Sequence, residues 1–347
     1  GTDGKTTTTN LIFQILKEAG MKVGMISTVN AVIGDQVLDT GFHVTTPEAI
    51  DVQRYLAMMV DDGLTHAVLE TTSHGWAQHR VDGCEFDVAV ITNITHEHLD
   101  EHGSLENYRL AKARLFQSLA ETHEKHGGNP RTAILNMDDT SFPYLEEVCA
   151  ELQGIRVLTY GIQSDGWAKA QAINYYNHGV SFEIEQGGLA IPIQSRLVGA
   201  FNISNILAAY AATVGGLGVD PAAAQAGITK LAGIPGRMEV IDLGQDFMAI
   251  VDFAHTPNAL HQALETARQM TGGRVIVAIG SAGLRDRQKR RMMAQYAIEL
   301  ADYVVLTAED PRSELLDDIL AEMAVGANAS GGVEGNTYWR VPDRGDA

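Results

Sequence analysis

The sequence predicts an α/β protein: a P-loop parallel-sheet domain carrying a small antiparallel segment, followed by a Rossmann-like α/β domain. Three observations lead to this. Short apolar runs of strand length alternate with amphipathic helical stretches over the first half of the chain. Gly4-Lys5-Thr6 stands directly before one of those helices, as the end of a phosphate-binding G-x-x-x-x-G-K-[ST] loop does. A second alternating block follows Gly233-Ile234-Pro235-Gly236. Buried strands separated by helices imply a mainly parallel sheet covered on both faces.

Taken in order, Thr6–Ala19 is expected to be helical. Leu11, Ile12, Ile15, Leu16 and Ala19 form one apolar stripe, and Gly20 stops it. Lys22–Thr28 is a short apolar strand, and Pro47–Asp61 an amphipathic helix ended by Asp62-Gly63. Thr65–Glu70 and Phe86–Thr92 are buried strands, the first closing on an acid. Leu105–Ala120 is helical, and Thr132–Asn136 and Ile155–Tyr160 are strands. Ala170–Tyr176, Val180–Gln186 and Leu189–Gln194 differ. Turns at Asn177-His178-Gly179 and Gly187-Gly188 join them as antiparallel hairpins. A helix is expected at Ile203–Gly215, then a linker at Gly233–Gly236, which separates domains at residues 1–232 and 233–347. Beyond it, Phe247–Asp252, Arg274–Gly280 and Tyr303–Thr307 are strands, with helices near 257–271, 287–301 and 314–325.

Composition narrows the function. Lys and Arg total 25 against 44 Asp and Glu, a formal net charge of −19. Such a balance argues against general binding to nucleic acid or anionic membrane, which need a basic field. An anionic small ligand needs only a local positive site. Two cysteines, Cys84 and Cys149, cannot make a disulfide framework or a cysteine zinc site alone, and a cytoplasmic location is expected. No apolar run reaches the roughly eighteen residues of a membrane-spanning helix. Gly1 falls within the second half of the P-loop motif, and Pro342-Asp343-Arg344 reads as a turn and helix start. An internal portion of a longer protein is therefore expected.

Four segments carry chemistry. In the loop, backbone N–H groups close on phosphate, Lys5 neutralises its charge and Thr6 reaches a magnesium ion. Glu70, at a strand end, stands where P-loop enzymes place a magnesium-holding carboxylate. Thr92 to His102 holds three histidines and three acids after a buried strand. Its spacing is not that of a zinc site; one histidine beside Glu70 on magnesium fits better. Arg285, Arg287, Lys289, Arg290 and Arg291 follow the strand ending at Gly280, which suggests an anionic ligand rather than a solvated face. Asp310-Pro311-Arg312 falls on the same sheet edge.

These residues, with others in a fixed order, resemble the Mur ligases, ATP-dependent amide-bond synthetases of peptidoglycan precursor assembly. The series runs Gly1–Thr7, Thr45-Thr46-Pro47, Glu70–His74, Gln78-His79-Arg80-Val81, Thr92-Asn93, His98-Leu99-Asp100, Ala111–Phe116, Gly199–Asn205, Pro235–Glu239 and Asp252–Pro257. It covers almost the whole chain. The T-T-P, Q-H-R-V and D-P-R segments resemble the MurE type, which adds the third amino acid. The resemblance implies that Thr2, Asp3, Gly4, Lys5, Thr6 and Thr7 hold the ATP phosphates. Asn202, Asn205, Arg237, Asp252 and His255 would complete the nucleotide site. Thr6, Glu70, His98 and Lys112 would place Mg2+, Lys112 as the lysine this family carbamylates with CO2. Lys5, Glu70, His98 and Lys112 form the implied catalytic set. Thr45, Thr46, Thr72, Ser73, Gln78 and Arg80 match the surface for the UDP-MurNAc-dipeptide. Arg285, Glu309, Asp310 and Arg312 match the grip on the incoming amino acid, meso-diaminopimelate.

Departures from the family pattern are local. Glu309-Asp310-Pro311-Arg312 stands for D-N-P-R, and Ala282-Gly283-Leu284-Arg285-Asp286 for G-G-D-R-D. Glu97 replaces an Asp and Trp76 an aliphatic residue. The implied reaction is phosphorylation of the UDP-MurNAc-L-Ala-D-Glu carboxylate by ATP, then attack by the amino acid's amine. A monomer, with no nucleic-acid or membrane partner, is expected. Lysine or ornithine as third amino acid, a folylpolyglutamate or cyanophycin-type ligase, a kinase and a non-enzymatic nucleotide-binding module are the alternatives.

Overall fold

The structure is a computed structural model that describes residues 1–40, 45–95, 104–125, 128–284 and 286–347. The described residues up to Glu239 form one compact unit and Val240–Ala347 a second. In the first unit α1 (Lys5–Glu18) is followed by β1 (Val23–Ile26), β2 (Asn30–Ile33), β3 (Gln36–Asp39), α2 (Ala49–Asp61), β4 (His66–Leu69), α3 (Ser73–Ala77) and β5 (Val88–Ile91). Then come α4 (Leu105–Glu121), β6 (Thr132–Asn136), α5 (Phe142–Glu151), β7 (Arg156–Gly161), β8 (Ala168–Tyr176), β9 (Gly179–Gln186) and β10 (Leu189–Ser195). The unit closes with α6 (Ala200–Tyr210), a π-helical stretch (Ala211–Gly216) and α7 (Pro221–Lys230).

The strands make two sheets rather than the one expected. The first has the order β3-β2-β1-β4, the second β10-β9-β8-β7-β6-β5. Between β4 and β5 lies a cavity of about 370 Å³ lined by Ile12, Leu16, Val68, Leu69, Val88 and Val90 among others. β1 pairs parallel to β4, Val23 opposite His66, whereas β2 and β3 add an antiparallel hairpin through Gly34-Asp35. In the second sheet β5 to β8 run parallel, and β8 to β10 continue it antiparallel. The hairpin segment is thus an extension of the parallel sheet. Leu11, Ile15 and Leu16 of α1 bury their stripe against Tyr160, Phe182, Ile203 and Leu207. A separate cluster around Tyr108, Phe116, Leu119 and Leu135 seats α4 on β5 and β6. Thr213 Oγ1 donates to Ala209 O at 2.8 Å where the expected helix at 203–215 passes from α to π geometry.

Gly233–Gly236 lies in the first unit as a turn, with Arg237 N donating to Ile234 O at 3.0 Å. The second unit contains β12 (Ala249–Val251), which pairs with β11 (Glu239–Ile241), then α8 (Pro257–Met270), β13 (Ile276–Ile279), α9 (Arg287–Leu300), β14 (Tyr303–Thr307), α10 (Leu316–Ala329) and β15 (Tyr338–Val341). β13, β14 and β15 form a parallel sheet in that order. Leu260, Met293, Val304, Leu320 and Met323 lie in its core. Thr256 caps α8 by accepting from Ala259 N at 3.0 Å, with Pro257 in its first turn.

Candidate active site

Gly4 enters α1 with φ of 79°, and a Cβ there would stand 2.1 Å from Asn205 Oδ1. Only glycine fits both demands. Asn93, just past β5, ties the loop down: its Oδ1 accepts from Thr2 N at 3.2 Å and from Asp3 N at 2.8 Å. Thr92 Oγ1 donates to Asp3 O at 2.6 Å. Lys5 Nζ curls back to donate to Thr2 O at 2.6 Å. Among the described residues no side chain caps α1, so its first N–H groups and the positive end of its dipole can face an anion. Thr6 and Thr7 are buried in its first turn.

Glu70 follows β4 and is 2% exposed. One carboxylate oxygen accepts from Thr6 Oγ1 at 2.9 Å and Thr28 Oγ1 at 3.0 Å, the other from Thr28 N at 2.9 Å. Arg237 Nη2 donates to the same Thr6 Oγ1 at 3.1 Å. One buried carboxylate beside the loop threonine suits magnesium, which takes one or two protein oxygens and fills its shell with phosphate and water. Among the described residues no cluster of three or more His, Cys, Asp or Glu could hold a metal by itself. His98 lies outside the described residues, as does Arg285.

Lys112 on α4 is buried, its Nζ 4.4 Å from the centre of the Tyr108 ring. Tyr108 Oη in turn lies 3.1 Å from Thr2 Oγ1, which anchors α4 to the loop. Asn202 and Asn205 are also buried, behind the loop. Asn202 Nδ2 donates to Val198 O at 2.8 Å, Asn205 Nδ2 to Asn202 Oδ1 at 3.0 Å, and Thr8 Oγ1 to Asn205 Oδ1 at 3.4 Å. These two asparagines brace the glycine turn through the protein's own groups.

Thr46, Thr72, Ser73, Gln78 and Arg80 meet around α3, next to half-buried Thr45. Thr72 N donates to Thr46 Oγ1 at 3.0 Å, and Thr72 Oγ1 caps α3 by accepting from Gly75 N at 3.0 Å. Arg80 donates to Thr46 O at 2.7 Å and pairs with Glu48 at 2.8 Å. Gln78 Nε2 lies 2.7 Å from His74 Nε2.

In the second unit Asp252 Oδ1 accepts from Ala254 N at 2.8 Å, and His255 Nδ1 donates to Phe253 O at 3.0 Å. Glu309, Asp310 and Arg312 are exposed in the loop after β14, with Arg312 Nε 3.6 Å from Asp310. The cations at 287, 289 and 290 do not share one face. Helical periodicity turns Arg290 into the core, Arg287 pairs with Glu322, and Lys289 donates to His255 O at 3.2 Å. Sequence reasoning passed over Thr28 and Tyr108. Tyr108 had a signal, standing one helical turn before Lys112. Thr28 had only its place at the end of the strand that pairs with Glu70's own.

A glycine-lysine-threonine turn opening a helix, with an acid at a neighbouring strand end, defines a P-loop protein of the α/β class. Residues 1–213 match the Mur ligase middle domain, and residues 236–347 the Mur ligase glutamate ligase domain. The chain belongs to the Mur ligase family. It is 41% identical to the UDP-N-acetylmuramoyl-L-alanyl-D-glutamate--2,6-diaminopimelate ligase of Geobacillus thermodenitrificans, over the whole of this chain and 68% of that protein. The solved structure of a ligase of the same name is 32% identical with a TM-score of 0.68, covering this whole chain and 67% of that one. Folylpolyglutamate synthase of Mycobacterium tuberculosis, complexed with ADP and AMPPCP, has a TM-score of 0.76 over the whole chain and 81% of its own. At 18% identity it shares the fold alone. Among the described residues no helix is long and apolar enough to cross a membrane.

Proposed function

We propose that this chain forms the ATP-using and amino-acid-binding parts of a cytoplasmic ligase that joins 2,6-diaminopimelate to UDP-N-acetylmuramoyl-L-alanyl-D-glutamate. The observation that carries the reading is Glu70 buried against Thr6, the threonine of an uncapped P-loop helix. The 41% identity to a ligase of that name supports the substrates. The γ-phosphoryl group of ATP passes to the free carboxylate oxygen of the glutamyl residue, and ADP leaves. The amine nitrogen then attacks the acyl carbon, the bond to phosphate breaks, and an amide, phosphate and a proton result. Lys5 and the α1 amides hold the phosphates and take up charge that grows in transfer. Thr6 and Glu70 would hold magnesium, which supplies charge neutralisation between phosphates. Lys112 belongs to this site: a carbamate made there with CO2 would turn a buried cation into an anion that helps place the metal. Thr45, Thr46, Thr72, Ser73, Gln78 and Arg80 would serve the UDP-sugar dipeptide, and Asp310 and Arg312 the amino acid.

The test is phosphate release by the protein as its cell makes it, with ATP, magnesium and UDP-MurNAc-L-Ala-D-Glu. Diaminopimelate, lysine, ornithine and no amino acid are offered in turn. Release only with diaminopimelate is expected. Release with lysine or ornithine instead would keep the ligase class and overturn the amino acid. Release with no amino acid would favour a phosphotransferase.

A further inference from the structure

Arg290 of α9 is wholly buried, the largest such side chain among the described residues. A guanidinium there must be paired. Nη1 lies 2.9 Å from both Glu314 and Glu322, while Nη2 donates to Glu314 Oε1 at 3.0 Å and to Ala282 O at 3.3 Å. Glu314 Oε1 also accepts from Leu284 N at 2.6 Å. The Glu322 contact joins α9 to α10 and is ordinary helix packing. The others do something different: they fasten the loop after β13 (Ala282, Leu284) to the loop after β14 (Glu314). The two loops touch backbone to backbone. Gly283 N donates to Asp310 O at 2.8 Å, and a Cβ on Gly283 would stand 2.0 Å from Pro311 O. Leu284 and Arg312, one on each loop, have φ of 53° and 51°. Left-handed non-glycine residues persist where their surroundings impose the conformation.

We propose that Arg290 and Glu314 are positioning residues for the amino-acid substrate. By locking the two loops together they hold the backbone of Arg312 where its guanidinium can grip the carboxylate of the incoming amino acid. The inference rests on the proposed ligase reading, which puts the amino acid at Arg312. The bond from Arg290, with the amide of Leu284, keeps the Glu314 carboxyl below its ordinary range, so the clamp stays charged. Neither residue takes part in phosphoryl transfer. Their loss therefore acts on amino-acid affinity and leaves the other two substrates alone.

The experiment is steady-state kinetics of Glu314→Ala, Glu314→Gln and Arg290→Lys in the protein as its cell makes it, each of the three substrates varied in turn. Glu314 is partly exposed, so its variants carry the test even if Arg290→Lys fails to fold. For Glu314→Ala, KM for diaminopimelate is expected to rise at least about tenfold, with KM for ATP and the UDP-sugar within about twofold. Glu314→Gln retains an acceptor for Leu284 and is expected to recover part of the loss. An unchanged diaminopimelate KM in Glu314→Ala, or an equal rise in all three, would overturn the assignment. A parent enzyme that releases no phosphate with any amino acid would overturn the ligase reading and this inference together. An active parent with an unaffected variant overturns the inference alone.

Discussion

Replacing Glu70 by glutamine separates the carboxylate's structural work from its chemical work. The glutamine oxygen can occupy the corner that accepts from Thr28 N at 2.9 Å and keep that bond. Its amide nitrogen then faces Thr6 Oγ1 and Thr28 Oγ1, both of which now donate to the carboxylate. One hydroxyl can turn and accept; the other loses its charged partner. Exchanging charge-assisted bonds for neutral ones costs about 1–2 kcal/mol here, partly offset by removing a buried charge. The unfolding midpoint should fall by no more than about 8 °C. Chemistry should suffer far more, because with its oxygen held by Thr28 N the glutamine presents an amide nitrogen, with neither a lone pair nor a negative charge, where the carboxylate oxygen would face a divalent ion. Mutating an outer partner of a metal already costs about 10–100-fold, so ATP-dependent turnover is expected to fall beyond that range. Thermal unfolding followed by circular dichroism, and magnesium-dependent phosphate release, check the two halves. Turnover near that of the parent would remove Glu70 from the metal site. A midpoint lowered by more than about 15 °C would show that the hydroxyl rearrangement does not occur.

Three further outcomes are expected. Lys5→Ala should abolish ATP-dependent phosphate release and leave the unfolding midpoint nearly unchanged, since Lys5 is only half-buried and bonds one loop carbonyl; retained turnover would refute its role. Gly4→Ala should cost at least about 2 kcal/mol in urea unfolding, from the left-handed φ and from Asn205 Oδ1 standing 2.1 Å from the new Cβ; an unmoved midpoint would contradict this. For Asp138, burial raises the carboxyl's pKa, but hydrogen bonds from Ser164, Ile162 and Gln163 outweigh it and hold the group below its ordinary value. A depressed folded-state pKa stabilises the fold above the unfolded value of about 3.9 and ceases to as pH falls through the folded one. Asp138→Asn should therefore be less stable than the parent at pH 7, with the gap closing below about pH 4; a gap independent of pH would refute it.

What the sequence determined by itself is local and periodic. The stripe of Leu11, Ile15 and Leu16 placed α1, and the apolar runs placed β4 to β7 within a residue or two, because such patterns show in any short window; β4, expected to be buried, is not, since His66 to Leu69 line the cavity beside β5. Gly4-Lys5-Thr6 was legible for the same reason: a loop that binds through consecutive backbone amides is contiguous in sequence. Partnerships between distant segments leave no such mark. Nothing near Glu70 names Thr28 as its partner forty-two residues away, and nothing in the hairpin β8–β10 says that it extends the parallel sheet. The shallow alternation of Asn30–Asp39 hid an edge hairpin, since an edge strand with one exposed neighbour needs few apolar residues. The basic run Arg287-Gln288-Lys289-Arg290 shows the limit most sharply. By composition its cations are equivalent, yet the turn of α9 sends Arg290 alone into the core and leaves Arg287 at the surface. Whether a charge is solvated, paired or aimed at a ligand depends on which distant carboxylates the fold brings to it, and for Arg290 only the packing of α9 against α10 and the two loops decided that.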